Sequence, residues 1–338
     1  MNWLHAHLAH LRERLTTLHG VLFFSATAAD IVFIVLGVYL VYRHERRKAT
    51  DPAGFPGFWH YMLPKEVFLH KSALLDYQVK LLQSFIGFPF SLPGVIGVAT
   101  IVTWTYHGGL VVLGPAQPTS ATPLWLLLCC GGLIALAFDF GNYSGHVLQH
   151  KVPLFWEFHK VHHAAEVLTP ITVDRTHPME DLPKIVITTL LCTTICVVFS
   201  RFYRIDVDSA LLYGGDLLLW WRIILFFRLR HSHVPMFFPT WLTYVFLSPV
   251  HHQTHHSSLQ RHFDSNYGLN LAVWDRLFGT HVPPEHPAQL RLGLSDGEQA
   301  MLNRNFLQMY LLPFRNAWFH AILRRERKYL SENASAGA

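Results

Sequence analysis

The sequence predicts an all-α protein: an integral membrane helical bundle of about four to five spans, with a cytoplasmic helical cap holding a histidine-rich dinuclear metal site. Three observations carry that prediction. The 338 residues are 51% hydrophobic and only 14% charged, where a soluble domain carries about 25% charge. Long apolar runs recur along the first two thirds of the chain. Of the 24 histidines, half lie between His146 and His177 or between His231 and His256, which together make up about a sixth of the length.

Crossing a hydrocarbon core takes roughly 20 helical residues, and five segments qualify. They run from about Gly20 to Tyr42, from about Phe85 to Leu113 with an interruption at Pro89 and Pro93, and from Pro123 to near Tyr143. The last two, Pro183 to Phe199 and Leu211 to Phe227, form a hairpin turning between Arg201 and Asp208. The fifth carries Asp216 and Arg222 and the fourth is short, which suits burial in protein as well as contact with lipid.

Orientation follows from the basic residues. Seven Lys and Arg lie between Arg43 and Lys80, and the Gly114–Thr122 loop has none, so the basic side is assigned to the cytoplasm. Threading five spans from there puts the N-terminus outside, against which Arg12 and Arg14 weigh, and gathers both histidine-rich stretches inside. The segment up to His19 lacks a signal-peptide layout. The net charge of +5 is spread beside hydrophobic segments and not along one polar face, so no nucleic-acid partner is expected. Cys129, Cys130, Cys192 and Cys196 sit in apolar runs without a CxxC pair and read as packing residues. The expected divisions are 1–122, a membrane region with a cytoplasmic linker; 123–285, a catalytic domain; and 286–338, a cytoplasmic tail.

His146 and His150 form an HxxxH pair, whose i, i+4 spacing stacks two imidazoles on one helix face. His159, His162 and His163 form HxxHH; at 100° per residue the second and third sit about 60° and 40° either side of the first. The same triplet returns as His252, His255 and His256, and His231 closes the fifth apolar segment. Nine candidate ligands exceed what one tetrahedral zinc takes, so two metals are implied. Imidazole suits iron, zinc, copper and nickel alike. The Glu-x-x-His signature of soluble carboxylate di-iron bundles does not occur.

The segments DFGNYSGHVLQH from Asp139 to His150, FWEFHKVHH ending at His163, RTHPME from Arg175, SPVHHQTHH ending at His256 and DSNYGLNLAVWDRLFGT from Asp264 to Thr280 together resemble the membrane fatty acid hydroxylase and sterol desaturase superfamily. The resemblance implies an oxygenase whose two irons are held by the nine histidines at the matching positions. It makes His177 an additional ligand or a group supporting one. His233, where family members often have Asn, and His251, just before the second triplet, leave the ligand assignment open there. Asp139, Glu166, Glu180, Asp264 and Asn266 are candidate acceptors for imidazole N–H groups, or ordinary cap and turn residues. Arg175 suits a polar lipid head or a pair with Glu180 or Asp181. His5, His7, His10 and His19 lack ligand spacing, and Trp220 and Trp221 line either a lipid tunnel or a helix contact.

The expected reaction is hydroxylation, or desaturation, of a lipid C–H bond with O2 as co-substrate. Without a Rossmann fingerprint, a haem attachment motif or an iron–sulfur cysteine set, electrons are expected from an external reductase, ferredoxin or cytochrome. The competing reading is a non-enzymatic metal- or haem-binding or transport protein, whose ligands should lie near the midplane of the spans. An acyl or polar-lipid chain is favoured over a sterol. The ending SENASAGA, with no retrieval motif, favours a bacterial cytoplasmic membrane over the endoplasmic reticulum.

Overall fold

Prolines and short polar side chains set the helix boundaries. In the computed structural model, which describes residues 29–116, 122–205, 207–294 and 298–323, the helices are α1 (29–48), α2 (Phe58–Met62), α3 (Lys65–Phe68), α4 (Lys71–Leu113), α5 (Leu124–Lys151), α6 (Pro153–His163), α7 (Leu182–Phe202), α8 (Val207–Ile224), α9 (Pro249–His255), α10 (Val273–Leu277), α11 (Gln299–Leu302) and α12 (Phe306–Leu323). Pro153 both stops α5 and opens α6, because a proline disfavours helix before it and is preorganised for the first turn. Pro183 opens α7 in the same way. At α9, Pro249 follows a capping box in which Ser248 and His251 satisfy each other's backbone N–H groups. Among the described residues the only β pairing is an isolated bridge between Phe246 and Leu271.

Two described helices are long and apolar enough to cross a membrane, α5 with 28 residues and α7 with 21. At 1.5 Å per residue they reach about 42 and 32 Å, against a hydrocarbon core of about 30 Å. Of the other three expected spans, the first has its residues 20–28 outside the described residues. In the second, α4 stays helical through Pro89 and Pro93, since each proline removes a single backbone bond and the apolar run continues on both sides. The fifth, α8, holds Asp208, Asp216 and Arg222 and is packed along α5.

The bundle is built around α5, which packs against both α7 and α8, the three sharing a buried apolar cluster with Cys130, Ile134, Cys196 and Ala210 in it. Glycines let the backbones approach. A Cβ at Gly145 would lie 2.6 Å from Lys184 Cα, one at Gly141 2.8 Å from Thr188 Cα, and one at Gly131 2.9 Å from Gly214 N. Such close crossings are what small residues on membrane helices permit. α5 extends eight residues beyond the expected end near Tyr143, so one rigid helix carries His146 and His150 out of the bundle.

At that end α6 packs on α5 and α12 packs on α6 and α4, with α11 against α12. Leu75 and Val79 of α4, Val161 of α6, Leu302 of α11 and Met309 and Leu312 of α12 share one buried apolar cluster. Two buried charge networks flank it. Arg175 pairs with Asp76 at 2.9 Å, also donates to the Val161 carbonyl and to Asn303, and is fully buried. It therefore meets neither a lipid head nor Glu180 or Asp181. Lys160 is held between Glu157 and Glu298.

Candidate metal centre

Nine imidazoles converge in two groups. His146, His150, His159, His163 and His255 have their ligand nitrogens within 4.8 Å of one another, and so do His162, His231, His252 and His256. Each HxxHH triplet divides in the same manner. The i, i+4 pair of α6, His159 and His163, joins the middle histidine of the other triplet, His255; the i, i+4 pair His252 and His256 joins the middle histidine of α6, His162. Helical geometry causes this exchange, since adjacent residues point about 100° apart and so cannot serve one site. His146 and His150 complete the first group from α5, and His231, at the end of a 3-10 turn over Phe227–Arg230, completes the second.

Backbone carbonyls and one carboxylate fix the rings. Nδ1 of His146 donates to the Tyr267 carbonyl at 2.8 Å, Nδ1 of His162 to the Arg175 carbonyl at 3.2 Å and Nδ1 of His255 to the Ser265 carbonyl at 2.7 Å. Nδ1 of His159 donates to Glu180 Oε1 at 2.9 Å, and Glu180 Oε2 accepts from the His177 backbone. Each outward donor leaves a bare lone pair on Nε2, aimed inward. The inward nitrogens are closely spaced: 3.1 Å between His146 and His159, 3.2 Å between His163 and His159, 3.0 Å from His231 to both His162 and His252, and 3.1 Å from His256 to both His231 and His252. Nε2 of His150 and of His255 is buried without a hydrogen-bond partner.

Lone pairs facing one another at this spacing repel unless a cation lies between them. Two donors on bonds of about 2.1 Å at a right angle are about 3.0 Å apart, which matches the observed separations. Electrostatics favour the same donor set. Burial, then the neighbouring imidazoles and cations, holds His159, His163, His231, His252 and His256 well below the ordinary histidine range. His162 falls to about 3 and His255 to about 4 from the same leading cause. A neutral imidazole is the form that binds a metal. The residues therefore fit two metal ions with an all-nitrogen protein donor set.

Of the residues left open by the sequence, His177 stands outside both groups: its Nε2 donates to the Tyr310 carbonyl and its Nδ1 accepts from Met179 N–H. His233 donates to the Tyr61 carbonyl at 2.8 Å and lines a cavity of about 300 Å³ with Leu168, Ser232 and Gln253. His251 belongs to the Ser248 cap. Asp139 accepts four bonds from the Asn270–Trp274 segment, two from Asn270 and one each from Leu271 N–H and Trp274 Nε1. It locks that loop, and so Tyr267, onto α5. Asp264 takes the Tyr267 hydroxyl and pairs with Lys151 at 2.6 Å, while Asn266 exchanges bonds with Val282. Glu166 holds Gln299 and Asn303 of the α11 region. Of these five acidic or amide candidates, Glu180 alone bonds one of the nine imidazoles. Trp220 is exposed, and Trp221 packs on Phe246. His5, His7, His10 and His19 lie outside the described residues.

Sequence reasoning missed Tyr267 and Trp156. The Tyr267 ring lies 5.4, 5.0 and 5.7 Å from those of His146, His150 and His255, and Trp156 lies 5.1 Å from His150 and 5.5 Å from His163. One signal was present for the loop. Asp264 and Asn266 adopt positive φ, 58° and 53°, a conformation for which Asp and Asn are enriched, and DSN marks that turn.

The fatty acid hydroxylase family model matches residues 132–280. Ornithine lipid hydroxylase OlsE of Rhizobium tropici is 29% identical over 192 residues, covering 57% of this chain and 52% of that protein. Alkylglycerol monooxygenase of Xenopus tropicalis is 29% identical over 151 residues, 45% of this chain and 30% of that one. Delta(7)-sterol 5(6)-desaturase erg3C of Aspergillus fumigatus is 25% identical over 167 residues, 48% and 51%. The chain thus spans about half the length, or less, of these curated relatives. No solved structure matches.

Proposed function

Since residues 132–280 place this chain in the fatty acid hydroxylase and sterol desaturase superfamily, we propose that it is a membrane di-iron oxygenase that hydroxylates, or desaturates, a lipid C–H bond with O2. The observation that carries the proposal is the exchange of middle histidines between the two triplets, which yields two adjoining groups of imidazole donors and no carboxylate in either. His146, His150, His159, His163 and His255 hold one iron and His162, His231, His252 and His256 the other. Bound iron supplies the activation of O2 that oxidation of an unactivated C–H bond demands and that side chains do not provide.

The remaining tasks fall to the protein. The Tyr267, Arg175 and Ser265 carbonyls and the Glu180 carboxylate hold four rings in one tautomer and orientation, as partners of metal-bound histidines do. The burial that keeps the imidazoles neutral also keeps bulk water from the reacting carbon. Positioning that carbon beside the centre is worth about 7–11 kcal/mol of barrier in favourable systems. In hydroxylation one oxygen atom enters the C–H bond and the other leaves as water, consuming two electrons and two protons. Those electrons come from an external reductase, ferredoxin or cytochrome, for which the sequence holds no internal substitute. The centre faces the cytoplasm, at the basic end of the bundle.

The substrate is an acyl or polar membrane lipid. The OlsE relative, named as an ornithine lipid hydroxylase, supports that class. Comparing lipid extracts of cells with and without the gene by mass tests it: a lipid heavier by one oxygen atom, or lighter by two hydrogens, is expected only with the gene. Purified protein should contain iron in both groups and consume O2 only with an added electron donor. Turnover with zinc alone, or a lipid profile independent of the gene, overturns the proposal.

A further inference from the structure

α12 is apolar on two opposite faces, and only one of them is covered. Met309, Leu312 and Ala317 on the inner face are buried, where α12 packs on α6 and α4. Leu307, Leu311, Phe314 and Trp318 on the outer face are 50–63% exposed. At 100° per residue these four fall within an arc of about 60°. A helix that is apolar all round belongs where both sides are shielded from water.

Two features say what covers the outer face. First, it is continuous with the end of a candidate membrane helix. Phe314 packs edge-on against His177, ring centroids 4.9 Å apart, and the chain runs from His177 through the exposed Met179 to the exposed Leu182, the first residue of α7. Second, the stripe is flanked by cations. Arg304 and Arg315 are exposed, and the sequence continues beyond Leu323 into Arg324, Arg325, Arg327 and Lys328. An apolar stripe beside basic residues is the pattern of a helix lying in a bilayer interface, held by acyl contact and by anionic headgroups.

The geometry points to α12 as an in-plane anchor whose outer face enters the headgroup–acyl boundary of an anionic membrane. This goes beyond the chemistry proposed above and does not depend on bound iron. Its consequence reaches the centre through α6. Asn316 of α12 donates to Glu157 of α6 at 2.9 Å and to Glu298 at 2.8 Å, and Lys160 is held between those carboxylates. The anchor therefore fixes the helix that supplies His159, His162 and His163 about one helix diameter, roughly 10 Å, from the lipid boundary.

The test uses the full chain, with an environment-sensitive fluorescent amino acid at position 311, 318 or 305, reconstituted in phosphatidylcholine–phosphatidylglycerol vesicles with or without brominated acyl chains. Positions 311 and 318 should lose more than half their emission to the brominated lipid and position 305 little. The same probe at the exposed Leu190 of α7 verifies insertion, so that its quenching with silence at 311 and 318 overturns the proposal. The 4-3-4 spacing of the stripe also suits a second copy of the chain; protein-density-dependent energy transfer between probes at 311, insensitive to bromine, overturns it equally.

Discussion

His163 and His256 stack nearly face to face, ring centroids 4.5 Å apart and planes 23° from parallel, where the two histidine groups touch. Each is the last residue of its triplet, and each has a sequence neighbour, His162 or His255, in the opposite group. Substitutions one residue apart should therefore deplete different ions. His162→Ala and His252→Ala are each expected to lower iron toward one per chain. Their double variant should lose little more, because both act on one site. His163→Ala combined with His252→Ala should empty both. Metal analysis of the four purified proteins checks this, and a 162/252 double variant as empty as the 163/252 one refutes the sorting.

Among the described residues, Glu180 is the one carboxylate that bonds a member of the nine, through His159 Nδ1 at 2.9 Å. Glu180→Gln keeps the shape but replaces a carboxylate acceptor with a weaker amide, and loss of such partners typically costs 10–100-fold in metal affinity or activity. The loss is expected in chelator competition, while the affinity of the ion held by His231 and His252 changes little.

The nine convergent histidines were legible because ligand spacing on a helix is a local property. Their sorting was not, because it depends on how α6 and α9 face each other. The partners of the rings were least legible. Three are backbone carbonyls, of Tyr267, Arg175 and Ser265, which have no residue signature. Arg175 found Asp76, 99 positions away, and not the nearby acids, because its side chain runs back beneath α6 to the start of α4. Span number is not fixed by hydropathy for a related reason: α8 is apolar along most of its length, yet it packs on α5 and carries three charged residues.

Acid should destabilise the metal-free protein over a defined window. Burial lowers His162 to about 3, and His255 and His177 to about 4, from 6.5. Folded, these rings stay neutral below pH 6.5 while the unfolded chain takes up protons, so the unfolded state binds more protons and stability rises with pH. The stability they contribute is complete above about pH 6.5 and is lost as pH falls from there toward 4. Each group contributes about 1 kcal/mol per pH unit inside the window. Denaturant midpoints of the apoprotein should be level from pH 7 to 8 and fall steadily from pH 6.5 to 5.

Arg175 and Asp76 are both fully buried, so removing one strands the other. Asp76→Asn or Arg175→Met should cost about 3–5 kcal/mol, read as a fall in melting temperature. A double Asp76→Leu, Arg175→Met variant should recover part of the loss, since no charge is then left uncompensated. The Arg175 carbonyl that orients His162 is main chain and survives each change, so iron content per folded molecule should hold.

Gly145 immediately precedes His146 on α5, and its missing side chain is what lets α7 pass. A Cβ there would meet Lys184 at Cα 2.6 Å and at N 2.7 Å away, backbone atoms that cannot step aside without moving the helix, as well as the side-chain Cγ 2.6 Å away. Gly141, one turn earlier, meets Thr188 in the same way, so both faces of the crossing must give together. Gly145→Leu should part α5 from α7 and swing His146 and His150, both carried on α5, away from His159, which is held on α6 and pinned to Glu180 just before α7 begins. Overpacking of this kind costs about 1–3 kcal/mol, a modest loss of stability, whereas shifting two of five ligands should remove the first ion and with it the activity. Gly132, whose Cβ would meet nothing within 4 Å, supplies the control: Gly132→Leu on the same helix should leave melting temperature and iron content unchanged, and an equal effect at both positions would show that helix propensity, not the crossing, is at work.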